Sequence, residues 1–270
     1  MKASRLVAPL VLLVVAIYLV ATAPEALAAS SKTERSLTTR SLFMVLANEN
    51  DIARSLYTEE IVGPGKKIGL AFSEDWADPA VLAGPLPAVF LRCCAEIISK
   101  KSSIKLRLAS DYPIELRNQL VGTELKRFQE MKDRGVPVFY VNEDAKRQVA
   151  MFPDIAVSMA CVACHNSHEH SAKSDWALND VMGATTWSWP TERISHKEAL
   201  KIVNDFRGAV RTVYSSFVDK IRGVKGMPGI GLGWPADCIS LPDPDQFLAE
   251  CVKRASGKTL NILMADESWK

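Results

Sequence analysis

The chain has 270 residues, of which 48% are hydrophobic and 24% are charged, a composition typical of a globular protein with one large domain or two small ones. Lysine and arginine number 33 against 31 aspartate and glutamate residues, so the formal net charge is only +2 at pH 7. This balance leaves no broad positive face to neutralise a phosphate backbone, which argues against nucleic acid as a partner.

The first 28 residues differ in composition from the rest and predict an export signal. Lys2 and Arg5 precede an uncharged apolar run from Leu6 to about Ala23, and Ala26-Leu27-Ala28 is a small-x-small cleavage pattern. The run of roughly 18 residues also approaches the length of a membrane-spanning helix, so an uncleaved N-terminal anchor is the alternative. We therefore expect a periplasmic, exported protein that contacts the inner membrane only if this segment is uncleaved.

After the signal, the N-terminal third predicts two helices joined by a loop. Apolar residues recur at helical spacing from Leu42 to Leu56, which predicts an amphipathic helix that opens the domain. Gly63-Pro64-Gly65 is expected to break the chain, and the segment 69–87, rich in Gly, Pro and Asp, predicts an ordered loop. Pro87 suits the first turn of a helix that continues to about Ile98.

The middle of the chain predicts strands. Apolar and basic residues alternate over Ile104–Leu108, which indicates a strand, and a helix is expected from about Glu115 to Arg134. The segments 136–141 and 148–151 predict an antiparallel hairpin, and Met182–Trp189 predicts one more strand.

Two further helices are expected in the C-terminal third. One helical pattern runs from His196 to about Ile221, and a short one runs from about Asp245 to Ala255. The segment 225–244 between them is rich in Gly and Pro. Helices that flank a small antiparallel sheet place the chain in the α+β class.

The segment Cys161-Val162-Ala163-Cys164-His165 carries the clearest chemistry. Covalent haem attachment needs two thiols that each add to a vinyl group, and two intervening residues let both sulfurs reach one edge of the porphyrin. C-x-x-C-H is therefore a signature of attached haem c. We predict that Cys161 and Cys164 bind one covalent haem c, and that His165 is an axial ligand of the iron.

Three other interpretations fit the same segment. A Cys161–Cys164 disulfide is permitted in an oxidising compartment, but it gives His165 no role. A zinc site has acceptable ligand types, although the usual gap between histidine ligands is missing; its ligands would be Cys161, Cys164, His168 and His170. Chance occurrence of the pattern in a plain domain is the third interpretation.

The second axial ligand of the iron is left open by the sequence. Cys93 or Cys94 is preferred, because a thiolate ligates ferric iron well. The other candidates are imidazole or thioether side chains, namely His168, His170, His196, Met151, Met159 and Met182. A second strong ligand suits electron transfer, whereas an open position would admit a gas.

Several segments also carry a family resemblance: Cys161–Asn166, Asp175–Gly183, Ala184–Trp187 with Pro190, Ser110–Pro113, Arg117-Asn118, Glu124 and Phe128. They resemble the Tll-type haem-c family, whose members are periplasmic single-haem domains found alone or as sensor modules of cyclases, kinases and chemoreceptors. The similarity covers about Leu42 to Tyr214. The tail with Trp234-Pro235 and Leu241-Pro242 looks like that of longer, cyclase-linked members.

The resemblance implies a five-stranded antiparallel PAS-like sheet flanked by helices, with a long N-terminal helix and a helical C-terminal extension. With the signal peptide or anchor at 1–28, we expect a haem-c PAS-like domain at 29–224 and the extension at 225–270. Some members use an N-terminal helical cysteine as the other iron ligand, which corresponds here to Cys93 or Cys94. Two adjacent cysteines depart from the simple family pattern.

Taken together, the sequence predicts a periplasmic c-type haem protein that senses redox state or a diatomic gas, or transfers electrons. Its expected partner is an unidentified redox or signalling protein. A haem enzyme acting on peroxide or nitrogen oxides and a zinc-stabilised structural domain are the alternatives. No acid–base pair near the haem stands out in the sequence, which favours a sensor or carrier over an enzyme.

Overall fold

The computed structural model of the protein describes residues 35–222, 226, 229–235 and 240–266. The predicted signal segment 1–28 and Cys238 lie outside these residues. No helix in the described part is long and apolar enough to span a membrane.

The first helix begins at once after a short strand. Strand β1 (Ser36–Thr38) leads into helix α1 (Thr39–Leu56), and the Thr38 hydroxyl caps it by accepting a 3.2 Å hydrogen bond from the Ser41 N–H. A π-helix (Tyr57–Val62) and helix α2 (Gly63–Lys67) continue the same helical run. The expected break at Gly63-Pro64-Gly65 is therefore wrong, because a proline in the first turn of a helix loses no backbone hydrogen bond.

Residues 70–86 form a loop, here called the Trp76 loop, that precedes the second long helix. It contains two short parallel strands, β2 (Phe72–Ser73) and β3 (Gly84–Pro85). A Cβ at Gly84 would lie 2.6 Å from the Phe217 ring, so only glycine lets the loop pack this closely. Helix α3 (Pro87–Lys101) follows and begins at proline as predicted.

The central sheet has four antiparallel strands in the order β4-β7-β6-β5. Their bounds are β4 (Lys105–Ala109), β5 (Val138–Asn142), β6 (Arg147–Ile155) and β7 (Val181–Trp189). The predicted hairpin is confirmed, with Val138 opposite Met151. The α+β class is confirmed as well.

The sheet differs from the five strands that the family resemblance implies. After β4, within the described residues, the chain makes only an isolated bridge between Ser110 and Gln119, around a single 3-10 turn (Leu116–Asn118). Pro113 has no N–H to donate to a strand ladder, which disfavours a further strand at this edge. Helix α4 (Gly122–Arg134) starts later than the predicted Glu115, because the 3-10 turn and an extended segment come first.

Helices cover both faces of the sheet, and one face holds most of the core. Helix α5 (Met159–Ser167) lies between β6 and β7, and strand β8 (Arg193–Ser195) pairs with β1 before helix α6 (His196–Ile221). Helices α1, α3, α6 and a last helix, α7 (Pro244–Ala265), pack together on one side around large buried side chains that include Tyr57, Phe90, Tyr214, Phe217 and Phe247. Helix α4 covers the other face through Phe128 and Met131.

The last helix is longer than the predicted segment of about Asp245 to Ala255 and packs on the first. A capping box formed by Asp243 and Gln246 starts it. The Asn48 side-chain amide donates to the Ala255 carbonyl at 3.0 Å, and the Thr38 hydroxyl donates to Asp266 Oδ2 at 2.9 Å. The described part of the C-terminal extension thus shares one core with α1 and α6.

Candidate functional site

Helix α5 presents the Cys-x-x-Cys-His residues on one helical face. Cys161, Cys164 and His165 occupy positions i, i+3 and i+4, which are neighbours on the surface of an α-helix. Cys164 is exposed, while Cys161 and His165 are half-buried. The three predicted haem-binding residues therefore lie together, at the edge of the protein rather than in its core.

The competing zinc and disulfide arrangements are not formed by the described residues. No three His, Cys, Asp or Glu side chains among them lie close enough together to hold a metal ion. Cys161 and Cys164 are both free thiols. The four zinc ligands proposed from sequence are thus not assembled, and both motif sulfurs remain available for reaction.

A small apolar cluster and a polar clamp hold α5 in place. Val162 packs with Ala156, Trp176 and Met182, and Cys161 contacts the same cluster. The Asn166 side chain donates to the Trp176 carbonyl at 2.9 Å and accepts from the Trp176 N–H at 2.8 Å. These two bonds fix the chain that follows the helix, and with it the direction in which the helix face points.

The environment of His165 favours the neutral form of its imidazole. Burial lowers the pKa of His165 from its usual value of 6.5, and the neighbouring His168 lowers it further. Glu74, in the Trp76 loop, acts in the opposite direction and raises it. A neutral imidazole has a free ring nitrogen, which is the form that binds a metal.

Glu74 also joins the Trp76 loop to helix α3. Its Oε2 lies 2.9 Å from Nη2 of Arg92, the residue that precedes Cys93. One carboxylate thus acts on His165 of α5 and pairs with α3. Glu74 therefore contacts α3 directly and influences His165 by its charge alone.

The two adjacent cysteines of α3 lie in different surroundings. Cys94 is fully buried in the main core, and burial raises the pKa of its thiol well above the usual range. Cys93 is half-buried; burial raises its pKa, while the Trp76 indole lowers it. Cys93 therefore borders the Trp76 loop, whereas Cys94 faces the side chains of the core.

The remaining candidates for the second iron ligand lie either in other clusters or on the motif segment itself. Met151 is buried beneath α4, and Met182 packs behind α5. His196 is the first residue of α6. Met159, His168 and His170 belong to α5 or to the residues directly after it.

Sequence reasoning missed the contribution of the Trp76 loop. Glu74 and Trp76 lie in a segment with no periodic pattern, and their contacts with Arg92 and Cys93 join residues distant in sequence. One signal was present in the sequence. A tryptophan in a loop rich in Gly, Pro and Asp is expected to be buried against the protein, with a partner for its indole N–H.

A family comparison covers this whole arrangement. The model of the Tll0287-like family matches residues 25–190. The chain belongs to the Tll0287-like family. The Tll0287-like region contains α5, the Trp76 loop and both cysteines of α3, whereas α6 and α7 follow it. Searches of curated proteins and of solved structures gave no significant match.

Proposed function

We propose that this protein is a c-type haem-binding protein in which Cys161 and Cys164 hold one haem c and His165 is an axial ligand. The observation that carries the proposal is the common helical face of these three side chains on α5. Membership of the Tll0287-like family, whose domains are cytochrome-c-like, supports it.

The chemistry of the donor set fits covalent attachment. Both thiols are free, and Cys164 is exposed. In each attachment the S–H adds across a vinyl C=C: the sulfur bonds to one carbon and the hydrogen goes to the other, so no oxidant is consumed. The neutral imidazole of His165 supplies the nitrogen lone pair that an axial ligand needs.

The surface beside α5 also suits a large apolar group. Val157, Met159 and Leu178 are 52%, 63% and 46% exposed, although all three are apolar. The Asn179 N–H donates to the Ala156 carbonyl at 3.0 Å, which brings the chain around Leu178 next to Val157. Exposed apolar side chains at one place mark a binding surface, and a porphyrin would cover such a surface.

For the second axial ligand, we favour Cys93 over Cys94. Cys93 borders the Trp76 loop, whose Glu74 acts on His165, while Cys94 is enclosed by the core. Moving the Cys94 sulfur out of the core would disrupt packing. The Cys93 sulfur needs no such rearrangement of the core.

A haem held by His165 and the Cys93 thiolate would supply one-electron iron chemistry and would leave no iron position open to a gas. This arrangement suits electron transfer or redox sensing better than binding of a gas at an open position. We therefore propose a periplasmic carrier or redox sensor, in line with the predicted export signal. Its partner would be a redox or signalling protein.

Haem staining after denaturing electrophoresis tests the attachment, because only covalently bound haem survives. The full chain, produced in a strain that assembles cytochromes c, should stain and carry the mass of one haem. The Cys161→Ala, Cys164→Ala double variant should lose the stain completely, whereas Cys251→Ala, at a buried cysteine in the main core, should keep it. An unstained wild-type protein would overturn the proposal.

Absorption spectra test the second ligand. Cys93→Ala should change the spectrum of the oxidised protein and allow CO to bind the reduced protein, because an axial position opens. Cys94→Ala is the matched control and should leave both unchanged. The opposite pattern would assign the ligand to Cys94, and no change in either variant would exclude both thiolates.

A further inference from the structure

Trp76 is buried, and its loop is fastened to two helices. The side chain is only 8% exposed and belongs to the main core. Lys220 of α6 donates to the backbone carbonyls of Trp76 and Asp78. The Glu74–Arg92 ion pair fastens the same loop to α3. The backbone of the loop on both sides of the indole is therefore fastened to two helices.

The indole N–H of Trp76 has an unusual environment. Its nitrogen is buried and completes no hydrogen bond of normal geometry with any described residue. The indole is close enough to the Cys93 thiol to lower its pKa. An unsatisfied buried N–H costs about 1–3 kcal/mol, so it is expected to have a partner in the working protein.

We propose that the Trp76 indole N–H donates a hydrogen bond to the Cys93 sulfur when that sulfur binds the haem iron, and that Trp76 is thereby a positioning residue that sets the strength of the iron–sulfur bond. The inference rests on the proposed haem site. A thiol is a weak acceptor, whereas a metal-bound thiolate carries negative charge and accepts well. The Trp76 indole N–H would therefore gain a good acceptor when the Cys93 sulfur binds iron.

The physical effect follows from the charge on sulfur. A hydrogen bond to a ligating sulfur withdraws electron density from it, which weakens its donation to ferric iron and raises the reduction potential. Removing the donor should therefore strengthen the iron–sulfur bond and lower the potential. A neutral hydrogen bond worth about 1 kcal/mol corresponds to about a fivefold change in an equilibrium constant.

The test compares Trp76→Phe with wild type, both as the full exported chain with haem attached. The reduction potential should fall, and the Kd for imidazole, which must displace the sulfur from ferric iron, should rise about fivefold. Trp187→Phe is the matched control, because the Trp187 indole is also buried without a partner among the described residues but lies on β7. It should leave both quantities unchanged.

A second background shows whether Trp76 acts through Cys93. In Cys93→Ala protein, the additional Trp76→Phe change should have no effect on the potential. Trp76→His, which retains an N–H donor, should lie closer to wild type than Trp76→Phe. An equal shift in both backgrounds would mean that Trp76 acts elsewhere and would overturn the inference.

The same bond can be probed without any substitution. In wild-type protein refolded in D2O, the iron–sulfur stretching frequency should shift, because N–D replaces N–H on the donor. Absence of a shift, or a Trp76→Phe protein with unchanged potential and Kd, overturns the inference while the stained haem leaves the proposed function intact. Absence of haem in wild type overturns the proposed function itself.

Discussion

The main core and the α5 region are built in different ways. In the core, aromatic rings from the π-helix, α3, α6 and α7 are fully buried and stack closely. The ring centroids of Tyr57 and Phe90 are 4.4 Å apart, and those of Tyr214 and Phe247 are 4.3 Å apart. Beside α5, a cluster of only four buried side chains supports the helix, and apolar residues are left exposed. The core thus stabilises the fold, while the α5 region keeps surface and donor groups available for a ligand.

The largest expected effect tests the core side of this contrast. Phe90→Ala removes a fully buried ring that stacks on Tyr57, and it should lower the free energy of unfolding by about 3–5 kcal/mol. Val162→Ala, beneath α5, should cost only about 1–2 kcal/mol. Urea denaturation of the two variants measures both; equal losses would contradict the contrast.

The core also contains one buried charge whose loss of partner should be costly. Glu49 is 3% exposed, and its carboxylate receives two hydrogen bonds from Arg207, at 2.6 and 2.9 Å. Arg207→Ala leaves this carboxylate buried and unpaired, so we expect a loss of about 3 kcal/mol. The Glu49→Gln, Arg207→Met double variant should be less destabilised in the same urea titration, because no charge remains. If Arg207→Ala lost less stability than the double variant, the result would argue against a costly unpaired charge at Glu49.

A smaller and local effect is expected at the clamp behind α5. Asn166→Ala removes both hydrogen bonds to the Trp176 backbone and should lower the free energy of unfolding by about 1–3 kcal/mol. Hydrogen exchange should accelerate at the Trp176 amide and within α5 but not in α6. Asn142→Ala, which removes one hydrogen bond in an exposed turn, is the control and should leave α5 exchange unchanged.

The smallest effect concerns the α4 side of the sheet. The Tyr140 hydroxyl is buried without a partner among the described residues, and burial raises the pKa of Tyr140 to about 12. Because this pKa exceeds the usual 10 of an unfolded chain, the group contributes stability below pH 10 that is lost as the pH rises through 12.

Tyr140→Phe should therefore reduce the fall in stability between pH 10 and 12, and it should change the stability at pH 7 by less than about 1 kcal/mol, because an unsatisfied hydroxyl is removed. Thermal unfolding of wild type and variant across this range is the measurement. Tyr112→Phe, at an exposed tyrosine, should follow wild type. Parallel curves for Tyr140→Phe and wild type would show that Tyr140 is not responsible.

Elements with a long apolar period were predictable, and elements that depend on distant contacts were not. Helix α6 was expected from His196 to about Ile221 and has those bounds, because its apolar face repeats over seven turns. The length of α7 was missed, because its second half is held by contacts with α1, such as that of Asn48 with Ala255, rather than by its own pattern.

The same distinction between local patterns and distant contacts applies to the candidate site. Cys161, Cys164 and His165 follow from local spacing, which is visible in one dimension. The choice between Cys93 and Cys94 depends on which way α3 faces, and that direction is set by its packing against α6. The role of Trp76 depends on a loop whose position comes from Lys220 and Arg92, far apart in sequence.

The pairing of Thr38 with Asp266 has a consequence for how the molecule is made. These residues are 228 positions apart, yet they hydrogen-bond to each other where the start of α1 meets the end of α7. Because a polypeptide is synthesised from its N-terminus, the Thr38–Asp266 hydrogen bonds cannot form until α7 has left the ribosome. Formation of the native state should accordingly be slow and wait until α7 has been synthesised, since contacts between distant residues delay folding.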